Sequence, residues 1–226
     1  MKLNKISRAV ITDVTALLLV LLIGEMVWLR QHIPLAITAL QALGLELLVL
    51  ALPASRLKYD KDRHKVRDTH DRQVVFEIII SVLIAAGLAY LNYLWFYGRH
   101  NLSAAYIDTT SDLYRSATTL VLLTFTMTQT LNLIFIRADA ESKLMPSLNL
   151  KNKKLVQAWL LSAFVLLNMI YDPLLQAVFK TKSLGFMDWI SAAALALVYF
   201  GLRLLQRHTR EHTRHAVIKL HRETKA

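Results

Sequence analysis

The chain has 226 residues, 55% of them hydrophobic, and carries a formal net charge of +11 at pH 7. It contains no cysteine, which excludes disulfide bonds and thiolate metal sites. The apolar residues fall in long blocks separated by polar clusters, and this pattern predicts a membrane protein with several spans.

Six segments are apolar enough to cross a membrane, for which a helix needs about 20 residues. In chain order they are residues 11–28, 34–53, 74–97, 116–136, 155–178 and 186–205. The predicted fold class is therefore an all-α membrane protein with a six-transmembrane-helix bundle. We assign residues 1–207 to this transmembrane domain and residues 208–226 to a basic cytoplasmic tail.

Lys and Arg residues are concentrated on one predicted side of the bundle. The N-terminus, the connections 56–73 and 137–154, and the tail from Arg203 hold 22 of the 27, and the other connections hold 5. Because such an excess marks cytoplasmic connections, both termini are expected in the cytoplasm. The distribution also explains the net charge, so nucleic acid is not an expected partner. The expected surroundings are the lipid bilayer of the plasma (cytoplasmic) membrane.

Span two contains a carboxylate near its middle, Glu46 in "ALQALGLELLVLALP". An intramembrane carboxylate is rare unless it is paired or functional. In span four, Gln129 and Asn132 are three residues apart and share one helix face. Glu46 lies about 12 residues from the start of span two, and Gln129 about 13 from the start of span four, so similar depths are expected.

Two interpretations of these polar residues remain open. In the first, Glu46, Gln129 and Asn132 supply oxygen ligands for a hard cation or a proton. In the second, Glu46 is a buried group that joins spans two and four through a hydrogen bond to Gln129 or to a threonine hydroxyl. Most threonines of span four need no function, because a threonine hydroxyl can bond to its own helix backbone.

Two further features belong to span five and the tail. Asp172-Pro173 interrupts span five, and the proline predicts a kink or a helix end. His208, His212 and His215 would share one face of a continuous helix and could ligate a metal. A solvated basic helix beside anionic headgroups is the expected structure instead, so no metal site is assigned.

Three segments resemble P-type cation ATPases of the calcium-pump type. Residues 37–57, "ITALQALGLELLVLALPASRL", resemble the sixth membrane helix of that family. "SATTLVLLTFTMTQTLNLIFIRADAES" resembles the eighth helix, and "YDPLLQAVFKTKSLGFMDW" resembles the ninth helix, the next outer loop and the start of the tenth. The resemblance implies that the six spans correspond to helices five to ten of a pump. The matching positions are Thr38, Gln41, Leu43, Leu47, Leu52, Pro53, Ala54, Leu57, Gln129, Asn132, Arg137, Glu141, Ser142, Tyr171, Pro173, Leu175, Gln176, Val178, Phe179, Leu184, Asp188 and Trp189.

The resemblance also implies a weakened ion site. Glu46 occupies the position of a family asparagine that coordinates the transported ion, but Leu50 occupies the position of the coordinating aspartate. The acidic position of the fifth helix falls near Leu21, whereas Gln129 keeps an acceptable ligand type. Glu46, Gln129 and Asn132 are therefore predicted to form a vestigial cation-binding site.

The sequence contains no Asp-Lys-Thr-Gly-Thr phosphorylation motif, no Thr-Gly-Glu motif and no Gly-rich phosphate loop. Without a phosphorylatable aspartate, the chain is not expected to be an enzyme or to need a cofactor. The leading prediction is a non-catalytic integral membrane protein. It would be the partner of a separately encoded P-type ATPase, or of its N-terminal part, or else a degenerate structural or regulatory remnant. The alternative is a passive or proton-coupled cation transporter that uses Glu46 and Gln129. The ion, the partner and the oligomeric state stay open.

Overall fold

The computed structural model describes the backbone of residues 5–56, 71–102, 107–141 and 153–223, and the side chains within 6–56, 75–102, 107–137 and 153–209. Within these residues the regular secondary structure is helical and contains no strand. Six helical segments are long and apolar enough to cross a membrane. These findings confirm the predicted all-α architecture with six spans.

The helices follow one another along the chain with short ordered connections where the connections are described. Their bounds are α1 (Lys5–Gln31), α2 (Ala39–Gly44), a π-helical segment (Leu45–Leu50), α3 (Ala51–Arg56), α4 (Asp71–Arg99), α5 (Asp112–Glu141), α6 (Lys153–Tyr171), α7 (Pro173–Phe179) and α8 (Phe186–Glu223). Together, α2, the π-helical segment and α3 form the second span. We call the end of the bundle near Arg56 and Lys154 the basic end, and the end near Arg99 and Lys182 the opposite end.

The central helix of the bundle is α5. In its apolar window 83% of the residues are buried, against 28–44% in the other five spans. Leu120, Leu123 and Phe125 on this helix are fully enclosed, whereas α1 exposes large apolar side chains such as Leu18 and Leu22. Because lipid tails are as apolar as leucine, side chains of this kind are stable on the outer surface of a membrane bundle.

The second span begins later than its apolar composition predicts. Residues 32–38 are not helical, and α2 starts at Ala39, so the predicted start at Pro34 is wrong. The physical reason is a capping box. The Thr38 hydroxyl accepts from the N–H of Gln41 at 3.2 Å, and Gln41 Oε1 accepts from the N–H of Thr38 at 3.1 Å. The box satisfies backbone donors for which the first helical turn has no acceptor.

The carbonyl group of Val49, within the π-helical segment, bonds to a neighbouring helix. Pro53 has no N–H, so it cannot donate to this carbonyl from four residues further along the chain. The Ser162 hydroxyl of α6 donates to the Val49 carbonyl at 2.7 Å. The interhelical bond thus replaces a bond that the proline cannot make, and it joins the second span to α6.

The fifth span is broken at Asp172-Pro173, as predicted. The Asp172 carboxylate accepts from the N–H groups of Leu174 and Leu175, each at 3.0 Å, and so caps α7. Lys180 ends α7 in the left-handed conformation, with φ of 52°. The proline at the first position of α7 needs no N–H partner there, which is why the break is stable.

The last helix, α8, continues through the predicted boundary between residues 207 and 208 and ends at Glu223. The proposed division into bundle and tail therefore falls within one helix. The side chains of His212 and His215 lie outside the described residues, as do most of the connections 56–73 and 137–154. The expectations for the tail histidines and for these connections stay predictions.

Candidate intramembrane polar site

Four buried polar side chains form a hydrogen-bonded network that joins α4, α5 and α8. Asn132 donates to Gln129 Oε1 at 3.4 Å, and its own Oδ1 accepts from the Ser81 hydroxyl at 3.0 Å. Ser81 forms a second bond, 2.7 Å long, with the Tyr199 hydroxyl. Each of the four side chains is at most 1% exposed. The structure thus brings Gln129 and Asn132 together, as their spacing predicted, and adds two residues absent from the sequence prediction, Ser81 and Tyr199.

Asp13 of α1 lies beside this network and is 1% exposed. Its carboxyl group is close enough to interact electrostatically with the carboxyl of Glu46 and with the Tyr199 hydroxyl. Among the described residues, neither carboxyl oxygen of Asp13 has a hydrogen-bond partner. A buried polar group without a partner is costly, and an ionisable group within a span is a functional candidate by default. Asp13 is therefore a candidate residue that sequence reasoning missed.

The position of Asp13 in the sequence contains the signal that would have identified it. It follows "AVIT" and precedes "VTALLLV", so it is an acidic residue with apolar residues on both sides, at the third position of the first predicted span. The helix extends back to Lys5, and Arg8 in its first turns forms an ion pair with Glu77 of α4 at 3.1 Å. Asp13 is consequently about two turns inside α1.

Glu46 lies in the π-helical segment, is partly buried, and is not bonded to Gln129. Glu46 Oε2 and Gln129 Nε2 are both buried, and neither has a hydrogen-bond partner among the described residues. The register between α2 and α5 explains the separation. Gln41 donates to Thr118 at 3.1 Å, and from this pair Gln129 lies about 9 Å further along its helix than Glu46 does. The expected match in depth is therefore wrong, and the bond expected between the two side chains is not formed in the described structure.

The buried threonines of α5 bond to their own helix, as expected. The hydroxyls of Thr124, Thr126 and Thr128 each donate to a backbone carbonyl at 2.8 Å. Thr124 also accepts from Asn92 Nδ2 at 2.7 Å, which joins α4 to α5. These hydroxyls are satisfied by structural bonds, so they are poor candidates for ligand binding.

The site combines carboxyl, amide and hydroxyl oxygens, which suit hard cations and protons. Its carboxyl groups, Asp13 and Glu46, come from α1 and from the second span. Within the described residues no group of three or more His, Cys, Asp or Glu side chains has the arrangement of a metal site. The cation-binding role of Glu46, Gln129 and Asn132 stays a prediction.

Six helices that are long and apolar enough to cross a membrane define an integral membrane domain. Residues 34–208 match the family model described as cation transporting ATPase, C-terminus. The chain therefore belongs to the family of C-terminal membrane domains of cation-transporting ATPases, and it is a multi-pass membrane protein. A comparison with curated proteins finds no match.

The matched residues include Glu46, Gln129 and Asn132, but the match begins after α1. The resemblance is thus confirmed for spans two to six. The correspondence of α1 with the fifth helix of a pump stays a prediction, and the case for Asp13 rests on its geometry.

Proposed function

We propose that this chain is a non-catalytic membrane domain that works with a separately encoded P-type ATPase, or with the N-terminal part of one. The observation that carries the proposal is a family-matched bundle with buried polar atoms that lack hydrogen-bond partners in the described structure, on Asp13, Glu46 and Gln129. Such atoms cost stability, so their presence favours a site that further helices complete over a purely structural remnant.

The position of Glu46 on the second span supports a partner there, because lipid suits exposed leucine side chains but not a partly exposed carboxyl group. Leu43, Leu47 and Leu48 are 59%, 66% and 43% exposed, on the same segment as the partly buried Glu46. Helices of a second chain packed against this face would enclose Glu46 and bring further ligands to it. The lack of a phosphorylation motif in the 226 residues supports the non-catalytic role.

Co-purification tests this proposal directly. The chain is co-expressed with P-type ATPase chains of the same organism, purified in mild detergent, and exposed to γ-labelled ATP. We expect a pump chain to co-purify and to carry all of the label. Acid-stable label on this chain by itself would contradict the non-catalytic role, and the absence of any co-purifying pump chain would contradict the partnership.

A matched pair of variants locates the contact face. Leu47→Trp enlarges a side chain on the second span that is 66% exposed, and Leu160→Trp does the same on α6, where the leucine is also 66% exposed. We expect only Leu47→Trp to reduce co-purification. Equal retention of the partner by both variants would place the contact elsewhere.

A second candidate function is passive or proton-coupled cation transport by the chain itself. The observation that favours it is the proximity of the Asp13 and Glu46 carboxyl groups inside the bundle. In proteoliposomes with an internal pH dye, this function predicts a proton flux that Asp13→Asn and Glu46→Gln abolish and that Glu25→Gln, a change on the exposed surface of α1, retains. A parent chain without flux would rule it out.

We further propose that the chain lies in the plasma membrane with the basic end and both termini in the cytoplasm, because Lys and Arg are concentrated there. The chain has no cysteine, so single cysteines report on topology without background. Ser55 at the basic end and Thr110 at the opposite end are both exposed. In intact cells, an impermeant thiol reagent should label Thr110→Cys and spare Ser55→Cys. The reverse labelling would invert the topology.

A further inference from the structure

The connection between α1 and α2 is buried, although it is not helical. Within residues 33–37, Ala36 and Ile37 are each 1% exposed, and Ile33 is 8% exposed. Connections usually run over the surface of a protein, because a buried one must find partners for its backbone polar groups. At membrane depth, non-helical backbone is tolerated where it is buried in protein or lines a water-filled cavity. This segment therefore occupies a place inside the bundle that a simple connection would avoid.

The segment lies against α1, α4 and α5 at the opposite end of the bundle. A Cβ atom on Gly24 of α1 would lie 3.0 Å from a side-chain carbon of Leu35. The Tyr93 hydroxyl of α4 donates to the carbonyl of Pro34 at 2.8 Å. The Tyr114 hydroxyl of α5 donates to the carbonyl of Leu35 at 2.9 Å. Three helices thus contact the segment, and two of them bond to its backbone.

The helices on either side of the segment lead from it to the two carboxyl groups of the polar site. On α1, Val20 is buried one turn nearer the basic end than Gly24, and Asp13 lies about 17 Å from Gly24 along the axis. On the second span, Glu46 lies about 12 Å from Thr38 along the axis. The segment therefore closes, at the opposite end, the region between α1 and the second span that contains both carboxyl groups.

We propose that residues 33–37 form a plug that closes the polar interior from the opposite end and opens locally without unfolding of the bundle. The apolar side chains of Ile33, Ala36 and Ile37 exclude water, and the hydroxyls of Tyr93 and Tyr114 hold the plug in place. Because each neutral hydrogen bond contributes modestly to stability, loss of both bonds should raise the population of the open plug without unfolding the chain. The proposal concerns access to the site and depends neither on a partner chain nor on transport.

Cysteine labelling measures this opening, because the chain has no cysteine of its own. The full chain with Val20→Cys is reconstituted into lipid nanodiscs, in which both ends of the bundle contact water. A charged, membrane-impermeant thiol reagent is added, and the labelling rate is followed by mass spectrometry. We expect slow labelling, and a rise of about tenfold or more when Tyr93→Phe and Tyr114→Phe are added together. An unchanged rate in that double variant would overturn the proposal. Labelling of Val20→Cys by itself as fast as that of Thr110→Cys, at an exposed position, would also overturn it.

Two controls separate local opening from general loosening of the bundle. Ala9→Cys places the thiol in the buried cluster at the basic end, and its labelling rate should not change when the two tyrosines are replaced. Tyr90→Phe removes a buried hydroxyl that has no hydrogen-bond partner among the described residues, so it should leave the labelling of Val20→Cys unchanged. An equal rise for both thiols, or an equal rise with Tyr90→Phe, would overturn the proposal. If the double variant does not fold, Tyr93→Phe and Tyr114→Phe are tested singly, and each should raise the rate by about threefold.

Discussion

The opposite end of the bundle and its interior differ in how their carboxyl groups are bonded. At the opposite end Arg99 forms an ion pair with Asp188, and Lys182 bonds to Asp112 at 2.9 Å. In the interior the carboxyl group of Asp13 has no hydrogen-bond partner among the described residues. Paired groups fix the positions of helix ends and loops. A buried group without a partner lowers stability, so its presence points to a use other than folding.

Hydrogen bonds at the opposite end join three parts of the chain. Gln41, at the start of the second span, donates to Thr118 of α5 and to the backbone carbonyl of Lys180 at 3.4 Å. The N–H of Lys182 donates to the hydroxyl of Thr119 at 3.0 Å. The second span, α5 and the connection from α7 to α8 are therefore held together by bonds whose loss should be measurable.

The largest expected effect is at the opposite end, from Asp188→Asn. This change removes the charge that pairs with Arg99 and weakens the 2.9 Å bond from the N–H of Gly185, so we expect a loss of about 2 kcal/mol of stability. Thermal unfolding in detergent measures it. Asp112→Asn is the control, because its ion pair with Lys182 is exposed and should matter much less. Equal losses would contradict the ranking of the two pairs.

The next largest effect tests close packing between α2 and α7. A Cβ atom on Gly44 would lie 2.4 Å from a ring carbon of Phe179, so Gly44→Ala should overpack the contact and cost about 1–2 kcal/mol. Gly87→Ala is the control, since nothing lies within 4 Å of the Cβ position there. It should be neutral or slightly stabilising in its helix. Adding Phe179→Leu should recover part of the loss at Gly44, and no recovery would argue against this contact.

A smaller loss is expected from Ser162→Ala. The change leaves the Val49 carbonyl without the hydroxyl that replaces the missing proline N–H, so about 1 kcal/mol should be lost in detergent unfolding. Ser55→Ala removes an exposed bond to its own helix and is the matched control. A loss no larger than that of the control would show that another donor already satisfies the carbonyl.

In the interior, changes to the carboxyl groups should alter stability little. Asp13→Asn and Glu46→Gln remove no described hydrogen bond, so each should stay within about 0.5 kcal/mol of the parent or stabilise it. Glu46→Leu should also cost little, because the described structure contains no bond from Glu46 to Gln129 for it to break. A loss of 2 kcal/mol or more in Asp13→Asn, on the same thermal unfolding scale, would show that the interior is paired like the opposite end.

The smallest effect is local and depends on pH. The backbone N–H and the hydroxyl of Thr110 both donate to Asp108 at 2.8 Å and hold the pKa of that exposed carboxyl below its ordinary value of 3.8. Because the pKa is lowered in the folded chain, the two bonds order the turn fully above pH 3.8. They are lost as the pH falls through the lower pKa that Asp108 has in the folded chain. The amide resonance of Thr110 should report this change, and Asp108→Asn should abolish it. A transition near neutral pH would contradict the assignment.

Sequence patterns predicted the spans well because hydrophobic length and proline act locally. The break at Asp172-Pro173 and the six apolar blocks needed no tertiary information. The late start of the second span was not predictable from hydropathy, since the non-helical residues 32–38 are mostly apolar. The signal there was the pairing of Thr38 with Gln41, which is a helix-start pattern in any soluble or membrane chain.

The site was predicted only in part because its geometry depends on register between helices. The spacing of Gln129 and Asn132 along one helix was enough to place them together. Ser81 and Tyr199 complete the hydrogen-bonded network around Asn132. Each is a single polar residue in an apolar run, and such residues are common in membrane spans. The depth of Glu46 was misjudged because counting from the start of each span ignored where the helices actually begin.

The π-helical segment gives the second span a tolerance for changes in its own length. The hydrogen bond of a π turn spans one residue more than that of an α turn. The segment therefore contains an extra residue that an α-helix of the same rise would not need. Removing one of its exposed residues, Leu47 or Leu48, can be absorbed by conversion of π to α geometry, with Gln41 still bonded to Thr118. The same deletion within α4 would rotate every later side chain by about 100°. Among related chains, gain or loss of a single residue in this span is therefore expected at Leu45–Leu50 and not in the helices that flank it.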